Sequence, residues 1–157
     1  MKKKKVIFIA SSGGHLTQLL QLSPLFKDYD SFLITEKDVS TSSLKVDGAK
    51  VFFFPPTRKN RWHGYLMGNL KSVLLSFWYF FRLRPDVVLS TGAGISVYLA
   101  YLAKLFGRKV IFIETYAAIN GKSGAGKLIY PIADRFYVQW ESMGVFYPNS
   151  VYKGTLY

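Results

Sequence analysis

Two glycine-rich turns are the parts of this chain whose residue types and spacing suggest ligand chemistry. Residues 11–16 read Ser-Ser-Gly-Gly-His-Leu and follow the apolar run 6–10, and residues 90–94 read Ser-Thr-Gly-Ala-Gly. Glycines let a backbone turn tightly beside a ligand, and the free N–H groups of a following helix bind anions or hydroxyls. Both turns are therefore candidate sites for phosphate or sugar groups.

His15 and Glu114 are the titratable residues that stand beside such strand ends. Glu114 closes the apolar run 110–113, and a carboxylate at the end of a buried strand must be solvated, paired or functional. His15 stands at the start of the helix expected after the first turn, where it either binds a ligand or is satisfied by local hydrogen bonds. Both are candidate functional residues.

The elements that must position these residues alternate between strands and helices. Strands are predicted at 6–10, 31–35, 50–54, 86–90, 110–114 and 135–139, helices at 15–26, 62–83 and 95–106, and a flexible loop at 120–127. This alternation predicts an α/β fold, a Rossmann-like parallel sheet with helices on both faces, in a single domain over residues 1–157. Ligands of such sheets bind at the carboxyl ends of the strands, so the two turns and Glu114 are expected to meet at one crevice.

The composition is both apolar and basic. Hydrophobic residues make up 50% of the 157 residues, aromatic residues 17%, and the net charge is +12. This pairing indicates an anionic membrane surface, nucleic acid or phosphorylated ligands as partners. The absence of cysteine excludes disulfides, thiolate metal sites and cysteine nucleophiles. No secretory signal is evident, because the apolar run after Lys2–Lys5 is short and has no cleavage site, and we expect a cytoplasmic location against a membrane.

The helix predicted at 62–83 gives the second functional signal. One face carries Leu66, Leu70, Val73, Leu74, Phe77 and Phe81, which predicts the core stripe. The other face mixes apolar, aromatic and cationic side chains, as an interfacial membrane helix does. The residues predicted to contact the membrane are Arg61, Met67, Lys71, Leu75, Trp78 and Arg82. Lys71 in mid-helix argues against a membrane-spanning segment, and packing against a partner subunit is the alternative.

The chain resembles the Alg14/PssD family of oligosaccharide biosynthesis proteins in four segments. These are SSGGHLTQL at 11–19, PDVVLSTGA at 85–93, IFIET at 111–115 and ADRFYVQW at 133–140. The resemblance covers essentially the whole chain, with the motifs in order. It implies a single domain of the GT-B N-terminal type, like the N-terminal half of MurG. It also implies a separate Alg13/PssE-like subunit that binds most of the nucleotide sugar.

The resemblance implies a membrane-associated subunit of a two-component UDP-sugar glycosyltransferase. The pair would add a sugar to a polyprenyl-diphosphate-linked saccharide in capsule or exopolysaccharide synthesis. The expected location is peripheral, at the cytoplasmic face of the plasma membrane. No cofactor or metal ion is expected, since the UDP-sugar is a substrate and GT-B enzymes typically use no catalytic metal.

The same resemblance implies roles for individual residues. Glu114, or His15 as second choice, would act as general base on the acceptor hydroxyl. The residues implied to bind the acceptor and its diphosphate are Ser12, Gly13, Gly14, Thr91, Gly92, Ala93, Gly94 and Thr115. Leu156 and Tyr157 are expected to dock on the partner, because an apolar, aromatic chain end is unusual. The alternative is a last strand packed on its own domain.

Two other functional classes are compatible with parts of the sequence. A stand-alone nucleotide- or sugar-phosphate-binding enzyme would use the same glycine turns without a partner. A nucleic-acid-binding protein would explain the charge of +12, but its cations should form one stripe with exposed aromatic residues. Here the cations do not form one stripe. They are spread along the chain, with a concentration around the long helix. The sequence therefore favours a membrane surface, and no nucleic-acid partner is expected.

Overall fold

Apolar strands form one seven-stranded sheet in which every pair of neighbouring strands runs parallel. The computed structural model describes residues 2–55, 62–92 and 94–157, and within 62–69 only the backbone. The strands are β1 Lys5–Ile9, β2 Asp30–Glu36, β3 Ala49–Phe54, β4 Val87–Ser90, β5 Lys109–Ile113, β6 Arg135–Val138 and β7 Val151–Tyr152. Six of them correspond to the predicted strands, and β7 is the last strand that was weighed as the alternative for the chain end.

The strand order is β3-β2-β1-β4-β5-β6-β7. The chain adds β2 and β3 on one side of β1 and then crosses to add β4 to β7 on the other side. β1 pairs with β2 on one side and with β4 on the other. In a parallel sheet this point of reversal opens a crevice at the carboxyl ends of the two central strands. Both glycine turns lie there, because residues 11–14 follow β1 and residues 91–94 follow β4.

In the described ranges, four α-helices cover the two faces of the sheet. They are α1 Gly14–Leu20, α2 Trp62–Leu83, α3 Gly94–Leu105 and α4 Gly124–Ile129, and 3₁₀ helices lie at Ser23–Asp28 and Glu141–Val145. α2, α3 and α4 pack on the face that includes Ile7 and Phe112. α1 and the first 3₁₀ helix pack on the opposite face, around Phe8 and Leu33. The prediction of helices on both faces is confirmed.

Two helices differ from the sequence prediction for local reasons. The single helix predicted at 15–26 is divided, since α1 ends at Leu20 and a 3₁₀ helix begins at Ser23. Pro24 explains the division, because proline has no N–H to donate and its ring clashes with the preceding turn. The flexible loop predicted at 120–127 instead contains the start of α4. There the Ser123 hydroxyl caps the helix by accepting a 2.9 Å hydrogen bond from the N–H of Gly126.

The predicted core stripe of α2 is wrong. Leu70, Leu74, Phe77 and Phe81 are between 44% and 61% exposed. The buried side of the helix instead carries Ser72, Ser76, Tyr79, Phe80 and Leu83. A hydropathy pattern does not identify this face as buried, because two of its residues are serines. Ser76 satisfies its hydroxyl within the helix by donating to the Ser72 carbonyl at 2.7 Å.

The residues predicted to contact the membrane divide into three groups. Lys71, Trp78 and Arg82 are exposed, and Leu75 is half-buried against the core. Arg61 and the side chain of Met67 lie outside the described residues. In the described ranges, none of the helices combines the length and the hydropathy needed to cross a bilayer.

Candidate functional site

His15 is held between the two glycine turns. Its Nδ1 lies 3.0 Å from the carbonyl oxygen of Thr91, and the Thr91 hydroxyl donates to the carbonyl of His15 at 2.7 Å. A carbonyl only accepts, so the proton of a neutral imidazole must be on Nδ1. Nε2 then carries the lone pair, and it has no partner in the part of the chain that the structure describes. His15 therefore offers one acceptor nitrogen.

Gly92 makes this arrangement possible. Its φ is +128°, and a Cβ at this position would lie 2.5 Å from Nδ1 of His15. Only glycine combines this backbone angle with this approach. Thr91, predicted to bind the acceptor, is fully buried and engaged with His15. Acceptor binding by Thr91 stays a prediction, and the contacts described for this residue are those that hold His15.

The first glycine turn is open. Gly13 (φ +85°) and Gly14 are exposed, and α1 has no side-chain cap on its N–H groups. The Ser12 hydroxyl donates to Asp38, which with Ser40 holds the pKa of that carboxyl well below its usual range. Asp38 is thus a charged neighbour of the turn that the sequence analysis missed.

The second glycine turn is described only in part. Gly94 is exposed at the first residue of α3, and Ala93 lies outside the described residues. Thr115, at the end of the next strand, is half-buried, and its N–H is already committed to the Oε1 of Glu114. The crevice therefore keeps Ser12, Gly13, Gly14 and Gly94 as accessible candidates on the described backbone.

Glu114 is enclosed by hydrogen-bond donors from its own domain. The side chain is 1% exposed. Its carboxylate accepts from the Tyr147 hydroxyl at 2.5 Å, the Thr115 N–H at 2.9 Å and the Ser123 N–H at 3.3 Å. Burial, together with this hydrogen bond to a carboxylate, raises the pKa of Tyr147 far above its usual value, so the phenol stays a donor.

The Glu114 carboxylate also packs against the start of α4. A Cβ on Gly126 would lie 2.1 Å from the carboxylate Oε2 and 2.4 Å from the Tyr147 hydroxyl. The carboxylate therefore lies on the buried side of the segment between β5 and α4 and is in contact with it. With three donors and 1% exposure, the carboxylate faces its own domain. The role of Glu114 as general base stays a prediction, and so does that of His15, whose Nε2 is an unpartnered acceptor among the described residues.

A buried pair of amides joins the crevice to the end of the chain. Nε2 of Gln139 donates to Oε1 of Gln18 at 2.7 Å and to the carbonyl of Glu114 at 2.9 Å. The Tyr116 N–H donates to the same Gln18 oxygen at 3.2 Å, and the Leu156 N–H donates to Oε1 of Gln139 at 2.9 Å. Sequence reasoning missed both glutamines, although Gln139 closes an apolar strand just as Glu114 does.

The chain end packs on its own domain. β7 pairs with β6, and Leu156 is half-buried beside an apolar cleft of about 290 Å³. This cleft lies over β4, β5 and β6 on the α1 side, where Leu22, Leu25, Ile111 and Ile113 line it. Tyr157 is 61% exposed, and its ring centroid lies 5.2 Å from that of Tyr116. Of the two residues predicted to dock on a partner, Tyr157 is thus the accessible one.

The exposed side of α2 forms a continuous apolar surface, which we call the α2 face. It consists of Leu70, Leu74, Phe77 and Phe81, flanked by Lys71, Trp78 and Arg82. Phe106, directly after α3, extends it, with its ring centroid 5.3 Å from that of Phe81. The α2 face is thus apolar with cations at its margin, whereas the crevice consists of paired polar groups.

Residues 6–156 match the family model described as oligosaccharide biosynthesis protein Alg14 like. The chain belongs to this family. An Alg14 relative from Schizosaccharomyces pombe, named UDP-N-acetylglucosamine transferase subunit, is 29% identical over 97% of this chain and 83% of its own length. The human relative of the same name is 29% identical over 96% and 82%, and that from Candida albicans 30% over 99% and 82%. The predicted family is thereby confirmed.

The fold of this Alg14-like chain is also found in larger solved structures. MurG from Acinetobacter baumannii superimposes with a TM-score of 0.72 at 15% identity, over 97% of this chain. UDP-N-acetylglucosamine 2-epimerase from Rickettsia bellii superimposes with a TM-score of 0.73 at 15% identity, over 98%. The chain spans 45% of each of these structures. At such identities the likeness shows the fold alone, and it confirms the predicted Rossmann-like α/β class.

Proposed function

We propose that this chain is the acceptor-binding, membrane-associated subunit of a two-component UDP-sugar glycosyltransferase. The observation that carries the proposal is the family match over residues 6–156, whose relatives are named UDP-N-acetylglucosamine transferase subunits. Those names favour N-acetylglucosamine as the transferred sugar and a subunit over a stand-alone enzyme or a nucleic-acid-binding protein. The acceptor would be a polyprenyl-diphosphate-linked saccharide. A place in capsule or exopolysaccharide synthesis stays a prediction from the sequence.

The partner in this proposal is an Alg13/PssE-like subunit that holds most of the UDP-sugar. A single Rossmann-like domain over residues 1–157 would supply the acceptor side alone. The apolar cleft beside Leu156 and the exposed ring of Tyr157 support docking of that subunit near the chain end. Apolar surface next to an exposed aromatic side chain is typical of protein interfaces.

The crevice supports a mechanism with His15 as general base. Backbone N–H groups of the two glycine turns would bind the acceptor diphosphate, at Gly13, Gly14 and Gly94. Nε2 of His15 would accept the proton of the acceptor hydroxyl as its oxygen bonds to the anomeric carbon of the donor sugar. The bond from that carbon to UDP breaks, and UDP leaves with the electron pair. Glu114 would hold the loop after β5 in place, and the step as written needs neither a metal ion nor a cofactor.

The α2 face supports peripheral attachment to the cytoplasmic side of the plasma membrane. Its apolar side chains are exposed, and Lys71 and Arg82 flank them. Interfacial helices bind in this way, with the apolar side at the acyl boundary and the cations at anionic headgroups. A lipid-linked acceptor would then reach the crevice from the same membrane.

The test is transfer of radiolabelled N-acetylglucosamine from its UDP donor to lipid-linked acceptor in membranes, with this chain alone, the partner alone and both. We expect activity only with both subunits, and full activity from this chain alone would overturn the proposal. In the active pair, His15→Asn keeps a donor to Thr91 but removes Nε2, and should lower kcat about 100-fold or more. Gln21→Asn, an exposed change at the end of α1, is the control. Unchanged turnover in His15→Asn would exclude His15 as the base.

A further inference from the structure

A second concave site lies at the amino edge of the sheet, opposite the crevice. It encloses about 340 Å³ between the first residues of β1 and β2, the start of β3 and the last turn of α2. We call it the amino-edge pocket. The residues that give it its character are Lys5, Asp30, Lys50, Phe52, Trp78 and Arg82. Neither glycine turn contributes to it.

The amino-edge pocket carries three cations and one carboxylate. Asp30 is the carboxylate, and its contact with the Lys50 ammonium is long, at 3.7 Å. The Lys5 ammonium donates to a carbonyl at the end of α2, that of Leu83, at 3.4 Å. Arg82 has no carboxylate partner among the described residues. The pocket is therefore positively charged, and its guanidinium is free to bind an anion.

The surroundings of the pocket favour a phosphate over a smaller anion. A guanidinium presents a fork of donors that matches phosphate oxygens, and lysine ammonium groups add further donors. The nearby Asp86 accepts the backbone N–H of Lys5 at 2.9 Å, and its negative charge is offset by Arg108 at 3.7 Å. Lys50 stands over the ring of Phe32 at 5.5 Å, which keeps its charged end at the pocket.

Trp78 connects the amino-edge pocket to the α2 face. It lines the pocket and is 54% exposed beside the apolar side chains of α2. A ligand with its phosphate in the pocket could therefore lay an apolar chain along the helix. We propose that the amino-edge pocket binds the phosphate of an anionic lipid headgroup, with Lys50 and Arg82 as its principal ligands. This inference rests on the membrane contact proposed for α2.

The test uses dihexanoyl phosphatidic acid, a short-chain lipid kept monomeric, with the purified full chain and with inorganic phosphate as a second ligand. Two-dimensional NMR should show saturable shifts at the indole N–H of Trp78 and at the amides of residues 50–52. The double variant Lys50→Gln/Arg82→Gln should weaken lipid binding about 30-fold, since each cation beside an anionic headgroup contributes roughly fivefold. Lys127→Gln, an exposed lysine on α4, is the matched control and should bind as the parent chain does.

Three results would overturn the inference. One is the absence of saturable shifts at Trp78, and another is equal lipid affinity of the double variant and Lys127→Gln. The third is equal affinity for inorganic phosphate, which would exclude the lipid as the ligand. A dispersed amide spectrum of the double variant shows that it is folded. Because the monomeric lipid binds without a membrane, this measurement separates the pocket from a failure of the α2 face to bind vesicles.

Discussion

The two edges of the parallel sheet differ in how their polar and charged groups are held. At the carboxyl edge, buried polar groups of Glu114, Gln139 and Thr91 are paired with good geometry, and each positions a neighbour. At the amino edge and along α2, cations are exposed, and some of the ion pairs are long, such as that of Lys50 and Asp30 at 3.7 Å. Exposed pairs of this kind contribute little stability. The groups of the crevice are therefore held in fixed orientations, whereas the membrane contact proposed for the α2 face would depend on apolar area and charge.

The largest expected effect comes from breaking the packing of the carboxyl edge. Gly126→Ala would place a methyl group 2.1 Å from the Glu114 carboxylate, and it should destabilise the fold by about 3 kcal/mol. Urea denaturation measures the change. Gly124→Ala is the control on the same helix, because a Cβ there meets no atom within 4 Å. Equal stability of the two variants would show that the loop after β5 is not held by this carboxylate.

Substitutions on the α2 face should weaken membrane binding without changing the free energy of unfolding. Phe77 and Phe81 are 44% and 51% exposed, so Phe77→Ser/Phe81→Ser leaves the core intact. Losing their insertion should weaken binding to anionic vesicles by about 2 kcal/mol, which sedimentation measures. Val39→Ser/Val145→Ser removes apolar side chains that are 97% and 84% exposed elsewhere, and should bind normally. If both double variants bind vesicles alike, α2 does not form the membrane contact.

The smallest effect concerns an ion pair at the amino edge. Burial would raise the pKa of Asp134, but the Val110 N–H, Lys109 and Lys104 outweigh it and hold that pKa below the ordinary 3.8. Asp134 therefore contributes stability above its unfolded pKa, and the contribution is lost as the pH falls through the folded value. Asp134→Asn should cost about 1 kcal/mol at neutral pH, and the cost should disappear in acid, at a pH below the folded pKa. Urea denaturation at both pH values checks this, and a cost that persists in acid would contradict an ionic origin.

Backbone features were predictable from the sequence because local residue types determine them. Apolar runs gave six strands, and the position of the glycines gave both turns of the crevice. The break at Pro24 was equally local and was missed only because the leucine pattern continues on both sides. The capping of α4 by Ser123 was hidden in a glycine-rich segment that is typical of flexible loops.

Contacts between distant residues were not predictable in this way. The role of Glu114 depends on Tyr147, which is 33 positions away and enters the site only through the packing of the second 3₁₀ helix. The orientation of α2 depends on two small serines that face the core while phenylalanines face outward. Hydropathy predicts the wrong orientation for such a helix, because here the exposed face is more apolar than the buried one.

The amide of Gln139 has a thermodynamic consequence for the end of the chain. Its Oε1 accepts the Leu156 N–H, and its Nε2 holds both Gln18 and the carbonyl of Glu114. If the last residues moved away, a buried acceptor would lose its donor, at a cost of about 1–3 kcal/mol. The same movement would loosen the hydrogen bonds that Gln139 makes to α1 and to the loop after β5. The position of the last residues is thus thermodynamically linked to the order of Gln18 and Glu114 at the crevice.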